Sequence, residues 1–183
     1  WSGARLWGVQ PDMMTTAKAI TNGYFPFGAL MIRDRVAEVF EADDTGAANV
    51  AHGYTYSGHP VGAAAALACL AETREMNVIT NAAIRGQQLY QGAIALKDRH
   101  EQIGDVRGGH GLMVGLEFVR DRASKAPDTA TPLRVRDIAY KNGVLVRVSG
   151  PNIILSPPLI VTEDDVSTMI SALDAGLKAA SKA

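Results

Sequence analysis

The sequence predicts an α/β chain in two packed units, a layered one over residues 1–103 and a smaller α+β one over 104–183. Three observations predict it. Short apolar or β-branched runs around turn residues give way to long helical stretches before Gly104. Beyond Gly104 an odd/even alternation replaces helical spacing, and the chain closes on an amphipathic helix.

The elements follow in order. Met13 to Ala17 and Gly28 to Ile32 read as two strands around the Asn22-Gly23 turn signal, with Lys18 at the end of the first strand. Pro60 suits the first position of a helix, His59 its cap, and the alanine- and leucine-rich run from Val61 to Glu72 its interior. A second helix is expected over about 81–100, with Ile84, Leu89, Ala93 and Leu96 near helical spacing and Gly104 as its stop. Leu112, Val114, Leu116 and Phe118 then alternate as a strand. Thr131-Pro132 reads as cap and first turn of a helix that carries Val135, Ile138 and Ala139 and ends at Gly143. Val144 to Val148 and Ile153 to Leu155 are expected strands around Ser149 to Asn152, and Pro157-Pro158 bars further pairing. Thr162 caps the last helix with Asp165 three residues on, Val166, Met169, Ile170, Leu173 and Leu177 form one stripe, and Lys178 suits its negative end.

Composition narrows the function. With 47% hydrophobic residues the chain can bury a core, and 18 Lys and Arg against 19 Asp and Glu leave no basic field for a nucleic acid or an anionic membrane. The longest apolar runs, around Val61 to Leu70 and Ile153 to Val161, fall short of the roughly 20 residues of a membrane span. A single cysteine, Cys69, forms no internal disulfide and suits a reducing cytoplasm. His52, His100 and His110 show no ligand spacing with one another or with Cys69, so no metal site is expected.

Three features could carry chemistry. No carboxylate neighbours Lys18 in Met13 to Ile20, and desolvation there would favour a nucleophilic amine; the alternative is a lysine that snorkels to solvent. The run Gly53-Tyr54-Thr55-Tyr56-Ser57-Gly58-His59-Pro60 sets hydroxyls and flexible glycines before a helix N-terminus, a place for a phosphate or for plain capping. Arg147 stands in the apolar run Val144 to Val148, where its planar fork suits a substrate carboxylate, an internal ion pair, or an edge strand facing water.

Read in order, Gly8-Val9-Gln10-Pro11-Asp12-Met13-Met14-Thr15-x-Ala17-Lys18-Ala19-Ile20-Thr21-Asn22-Gly23-Tyr24-x-Pro26-x-Gly28-Ala29 resembles the lysine motif of the class III aminotransferases. The resemblance continues through His52 to Pro60, Arg107-Gly108-x-x-Gly111-Leu112-Met113-x-Gly115-Leu116-Glu117, and Arg147-x-x-Gly150 leading to Leu155-Ser156-Pro157-Pro158-Leu159. Four motifs in order cover essentially the whole chain. The resemblance implies fold type I of the pyridoxal 5'-phosphate-dependent transferases, with 1–103 as the C-terminal part of the cofactor-binding large domain and 104–183 as the small C-terminal domain.

It also implies roles. Lys18 holds the cofactor and moves a proton, Thr55 binds the cofactor phosphate of a neighbouring subunit in a homodimer, and Arg147 receives the carboxylate of pyruvate or alanine, as in amine:pyruvate and ω-amino acid transaminases. Tyr24, with the residues to Phe27, faces the amine substrate. The expected activity is transfer of an amino group from an amine or amino acid to a keto acid. An aminomutase or decarboxylating enzyme shares the lysine and cofactor, and a non-catalytic dimerisation fragment shares the fold. The start at Trp1, without an initiator Met, reads as that of a piece of something longer, and the resemblance implies that the aspartate at the pyridine nitrogen, the stacked aromatic ring and a glycine-rich phosphate loop belong upstream.

Overall fold

A computed structural model describes residues 1–181. The chain divides into two compact units, Trp1–Met76 and Asn77 onward.

The first unit runs α1 (Gly3–Leu6), β1 (Met13–Ala17), a 3₁₀ turn (Lys18–Ile20), β2 (Gly28–Ile32), α2 (Asp34–Glu41) and α3 (Pro60–Glu75). Both expected strands form and pair antiparallel, Met13 opposite Ile32 and Ala17 opposite Gly28. Asn22 and Gly23 take the left-handed conformations (φ 49° and 80°) that their turn requires. Helix α2 is not anticipated by the sequence reading. Its start is anchored by Asp12 at the foot of β1, which accepts from Arg35 Nε at 2.8 Å. Helix α3 begins at Pro60 as expected, with His59 as its cap. Among the described residues this unit buries only Thr21, Gly62 and Ala66, while Trp7, Met13, Leu30 and Leu67 lie more than half exposed.

The second unit runs α4 (Val78–Arg99), β3 (Ile103–Arg107), β4 (Val114–Asp121), β5 (Ala126–Pro127), α5 (Thr131–Lys141), β6 (Arg147–Ser149), β7 (Asn152–Leu155) and α6 (Glu163–Ala180). Its sheet has the order β3-β4-β7-β6, antiparallel throughout, with β5 hydrogen-bonded to the far end of β4. Helix α4, which the sequence places before the boundary at 103/104, packs on β3 and α6 and belongs to this unit. Its buried positions, Ala82, Gly86, Leu89, Ala93 and Leu96, repeat every three or four residues, and those of β4, Val114, Leu116 and Phe118, every second one. With Ile153, Leu155, Val135, Leu173 and Leu177 they make one contiguous core, in which each fully buried leucine contributes about 2 kcal/mol. Arg122 closes the C-terminus of α4 by donating to the carbonyls of Lys97 and His100.

Local chemistry explains the ends. The expected cap of α6 is present in full: Thr162 Oγ1 accepts from Asp165 N at 3.1 Å, and Asp165 Oδ2 accepts from Thr162 N at 2.9 Å. At α5 the expectation is corrected. Thr131 is the first helical residue, and the capping oxygen is that of Asp128, which accepts from Ala130 N at 2.9 Å and Thr131 N at 3.1 Å. The strand expected over Val144 to Val148 shrinks to Arg147–Ser149, which occupies the sheet edge.

Candidate active site

Lys18 follows β1 directly and has φ 55°, a left-handed conformation uncommon for a residue with a Cβ. Such a backbone costs on the order of 1–3 kcal/mol and persists where its surroundings fix it. Here the turn after it is bonded throughout: Thr21 N donates to Lys18 O at 3.2 Å, Asn22 N to Ala19 O at 3.3 Å and Tyr24 N to Thr21 O at 3.0 Å. Cys69 of α3 adds a thiol bond to Ala19 O at 3.6 Å. The burial expected for Lys18 is not found. Its side chain is exposed and its amine has no partner among the described residues; β1 has a strand neighbour on one side only, and α3 meets the turn at Ala19, not at Lys18.

Tyr24 lies in the same turn at 87% exposure, so no wall of the first unit forms a pocket around it. The loop it begins is nonetheless seated. Phe25 stacks obliquely on His59 with ring centroids 5.1 Å apart, and Phe25 and Phe27 lie against Gly62, where a Cβ would meet Phe27 at 2.6 Å and Phe25 at 3.1 Å. The strand-end lysine and the N-terminus of α3 are thus joined through Thr21, Phe25 and His59, a link that the sequence reading missed. Its signals were the threonine three residues after Lys18 and the glycine two after Pro60.

Thr55 lies in the turn that precedes α3, exposed, and no hydrogen bond joins it to Lys18. Plain capping was one reading of this segment, and His59 performs it: its Nδ1 accepts from Gly62 N at 3.3 Å. The hydroxyls of Thr55 and Ser57 are left without partners among the described residues. Tyr56 meets both Tyr54 (6.0 Å) and His59 (5.8 Å) edge to face, which fixes the course of the turn. A phosphate fits the donors present: free hydroxyls, a Gly-containing turn and the positive end of a 16-residue helix.

Arg147 belongs to the second unit. It is exposed at the start of the edge strand β6 and has no ion pair among the described residues, so of the readings its sequence left open the internal pair is absent. It lines an open cavity of about 550 Å³ with Val146, Leu155, Ser156, Pro157 and Met169. Asp165, also at this cavity, is held below the usual carboxylate range by the Thr162 hydroxyl and N–H. That carboxylate is committed to the cap of α6, which leaves the Arg147 guanidinium as the cationic group open to a ligand.

The first unit thus presents a primary amine on a bonded turn and a helix start with free hydroxyls, and the second unit, by itself, an exposed arginine. A family model described as class-III aminotransferase matches residues 1–177. The chain is 34% identical to gamma-aminobutyrate transaminase 1, mitochondrial, of Oryza sativa subsp. indica over 181 residues, 97% of this chain and 34% of that protein. It is 31% identical to the putrescine–pyruvate aminotransferase of Pseudomonas aeruginosa over 173 residues, 93% of this chain and 37% of that one. Its fold superposes with a TM-score of 0.91 on the crystal structure of an amine transaminase from an uncultivated Pseudomonas species in its PLP-bound form, at 42% identity, covering 97% of this chain and 40% of the other. The chain thus spans little more than a third of the length of the curated relatives it matches.

Proposed function

This chain belongs to the class-III aminotransferase family, whose fold type I architecture it shares, and on that premise we propose that it serves a pyridoxal-phosphate-dependent transaminase. The amino group moves from an amine or amino acid to a keto acid such as pyruvate. The first unit, Trp1–Met76, is then the C-terminal part of the large domain and the second unit, which takes in α4, the small domain. The reading rests above all on Lys18, an unpartnered primary amine on a left-handed backbone that its own turn holds in place.

When bound, pyridoxal phosphate supplies an aldehyde for a lysine amine and a ring that delocalises the electrons left when a C–H bond breaks. The chain's residues do the rest. Lys18 would hold the group through Nζ and would take up at that nitrogen the proton leaving the substrate carbon. Thr55 donates its hydroxyl to a phosphate, and by the family resemblance that phosphate belongs to the neighbouring subunit of a homodimer. Arg147 binds the acceptor's carboxylate through two parallel hydrogen bonds. Tyr24 borders the side of the site that takes the amine.

The lone thiol Cys69 fits a reducing compartment, and we place the protein in the cytoplasm. No helix among the described residues is long and apolar enough to cross a membrane. Product analysis tests the reaction type. Incubation of the holoenzyme with an amine donor and pyruvate should yield alanine and the carbonyl product in equal amounts. Carbon dioxide release, or an isomerised amino acid without alanine, would move the reading to a decarboxylase or an aminomutase.

A further inference from the structure

We infer that Thr21, the buried residue of an otherwise open turn, is a positioning residue that sets both the cofactor lysine and the loop bearing Tyr24; this rests on the reading that Lys18 holds pyridoxal phosphate. Thr21 is 1% exposed, in a unit where the other buried residues are Gly62 and Ala66. Three hydrogen bonds meet on it. Its N–H donates to Lys18 O at 3.2 Å, its carbonyl accepts from Tyr24 N at 3.0 Å, and its Oγ1 donates to Phe25 O at 2.6 Å.

The hydroxyl is the part that backbone geometry does not supply. Any residue at this position could make the first two bonds, but only a serine or threonine of this size also brings a donor to the Phe25 carbonyl. That bond ties the far side of the Tyr24 loop back to the residue whose N–H closes the Lys18 turn. From Phe25 the loop is then held on α3 by the close approach of Phe25 and Phe27 to Gly62 and by the Phe25–His59 contact. Without the hydroxyl, the Phe25 carbonyl loses its donor and the loop has one anchor instead of two. The backbone bonds of the turn remain, but the turn that fixes Lys18 at φ 55° loses its tie to the Tyr24 loop, and Nζ shifts from its working place. Displacements of about 1 Å in a reacting group are enough to slow a reaction substantially.

The test compares Thr21→Val, which keeps the shape and loses the hydroxyl, with Thr21→Ser, which keeps the hydroxyl. Pyridoxal phosphate is titrated into the folded apoprotein and followed by its visible band, and kcat and KM are measured on the loaded enzyme. In Thr21→Val the Kd for pyridoxal phosphate should rise about tenfold and kcat fall about tenfold, with KM for the keto acid within twofold, and Thr21→Ser should restore both within about threefold. Thr21→Ala gives the same readouts should the valine variant not fold. A lower melting temperature with unchanged Kd and kcat, or a loss that serine does not restore, overturns the inference. Borohydride labelling of the wild type separates this from failure of the underlying reading. Label on a lysine other than Lys18 sinks the cofactor assignment, whereas label on Lys18 with indifferent Thr21 variants sinks only the positioning role.

Discussion

Replacement of Gly86 by alanine should destabilise the second unit in spite of alanine's better helix propensity. Gly86 lies buried in α4, and a Cβ built there would come within 2.3 Å of Gly111 O and 2.4 Å of Gly111 C. The obstacle is backbone, not the far end of a side chain, and it must retreat by about 1 Å to reach ordinary contact. Retreat is resisted because Gly111 is held at φ 96° and is followed at once by buried Leu112 and Val114. Overpacking of this kind costs about 1–3 kcal/mol, and the rigid neighbour puts the site at the upper end; alanine returns about 1 kcal/mol of propensity. The net loss of about 2 kcal/mol corresponds to a fall in Tm of roughly 5–15 °C for a unit of this size. Thermal unfolding followed by far-ultraviolet circular dichroism measures it. Gly92→Ala is the comparison and should cost less, because the nearest atoms its Cβ would meet are side-chain atoms of Ile170 (Cγ1 at 2.7 Å, Cδ1 at 2.8 Å) and not backbone. A Gly86→Ala protein as stable as the wild type, or more so, refutes the reasoning.

Further predictions concern charge and binding. Burial pushes the Asp174 carboxyl up, but the bonds from His100 (2.8 Å) and Lys178 and the charge of Arg99 outweigh it and hold it at about 2 instead of 3.8. Its contribution, on the order of 1–2 kcal/mol, is therefore in full force above pH 4 and is lost as pH falls toward 2; urea unfolding across that range should show an acid limb that Asp174→Asn flattens. Arg147→Gln should raise KM for pyruvate about tenfold or more with little change in kcat at saturation and little effect on an amine donor that has no carboxylate, as initial rates would show. Thr162→Ala removes the hydroxyl half of the α6 capping box, leaving the backbone N–H of residue 162 bonded to Asp165, and should cost about 1 kcal/mol, measured as a lower urea midpoint.

Periodicity made the second unit legible, because its core is built from the repeats that periodicity detects. Leu89, Ala93 and Leu96 on α4, alternating residues on β4 and the stripe on α6 all fall where the sequence places them. The cap of α6 was readable because serine, threonine and aspartate cap through local geometry. Strand β3 was not readable, since Gly104 looks like a helix stop while in the sheet it stands where a Cβ would collide with Val119 at 2.7 Å. Helix α2 was missed although its eight residues are amphipathic, because it is short, has no side-chain cap at its start and buries nothing within the described residues. At the site, Lys18 stood out only through its motif. Its left-handed backbone and the Thr21 hydroxyl bond depend on a turn that spacing does not encode, and its exposure depends on what lies beside β1. Arg147 had its readings narrowed by sheet order, a non-local property, since β6 proves to be the edge strand.

The most direct test of the central claim is to reduce the pyridoxal-phosphate-loaded protein with borohydride, digest it and map the fixed cofactor by peptide mass. A single adduct on Lys18 is predicted, lost in Lys18→Ala while far-ultraviolet circular dichroism shows the fold retained. An adduct on a different lysine, or label scattered over surface lysines with none preferred, would contradict the assignment of Lys18 as the cofactor lysine.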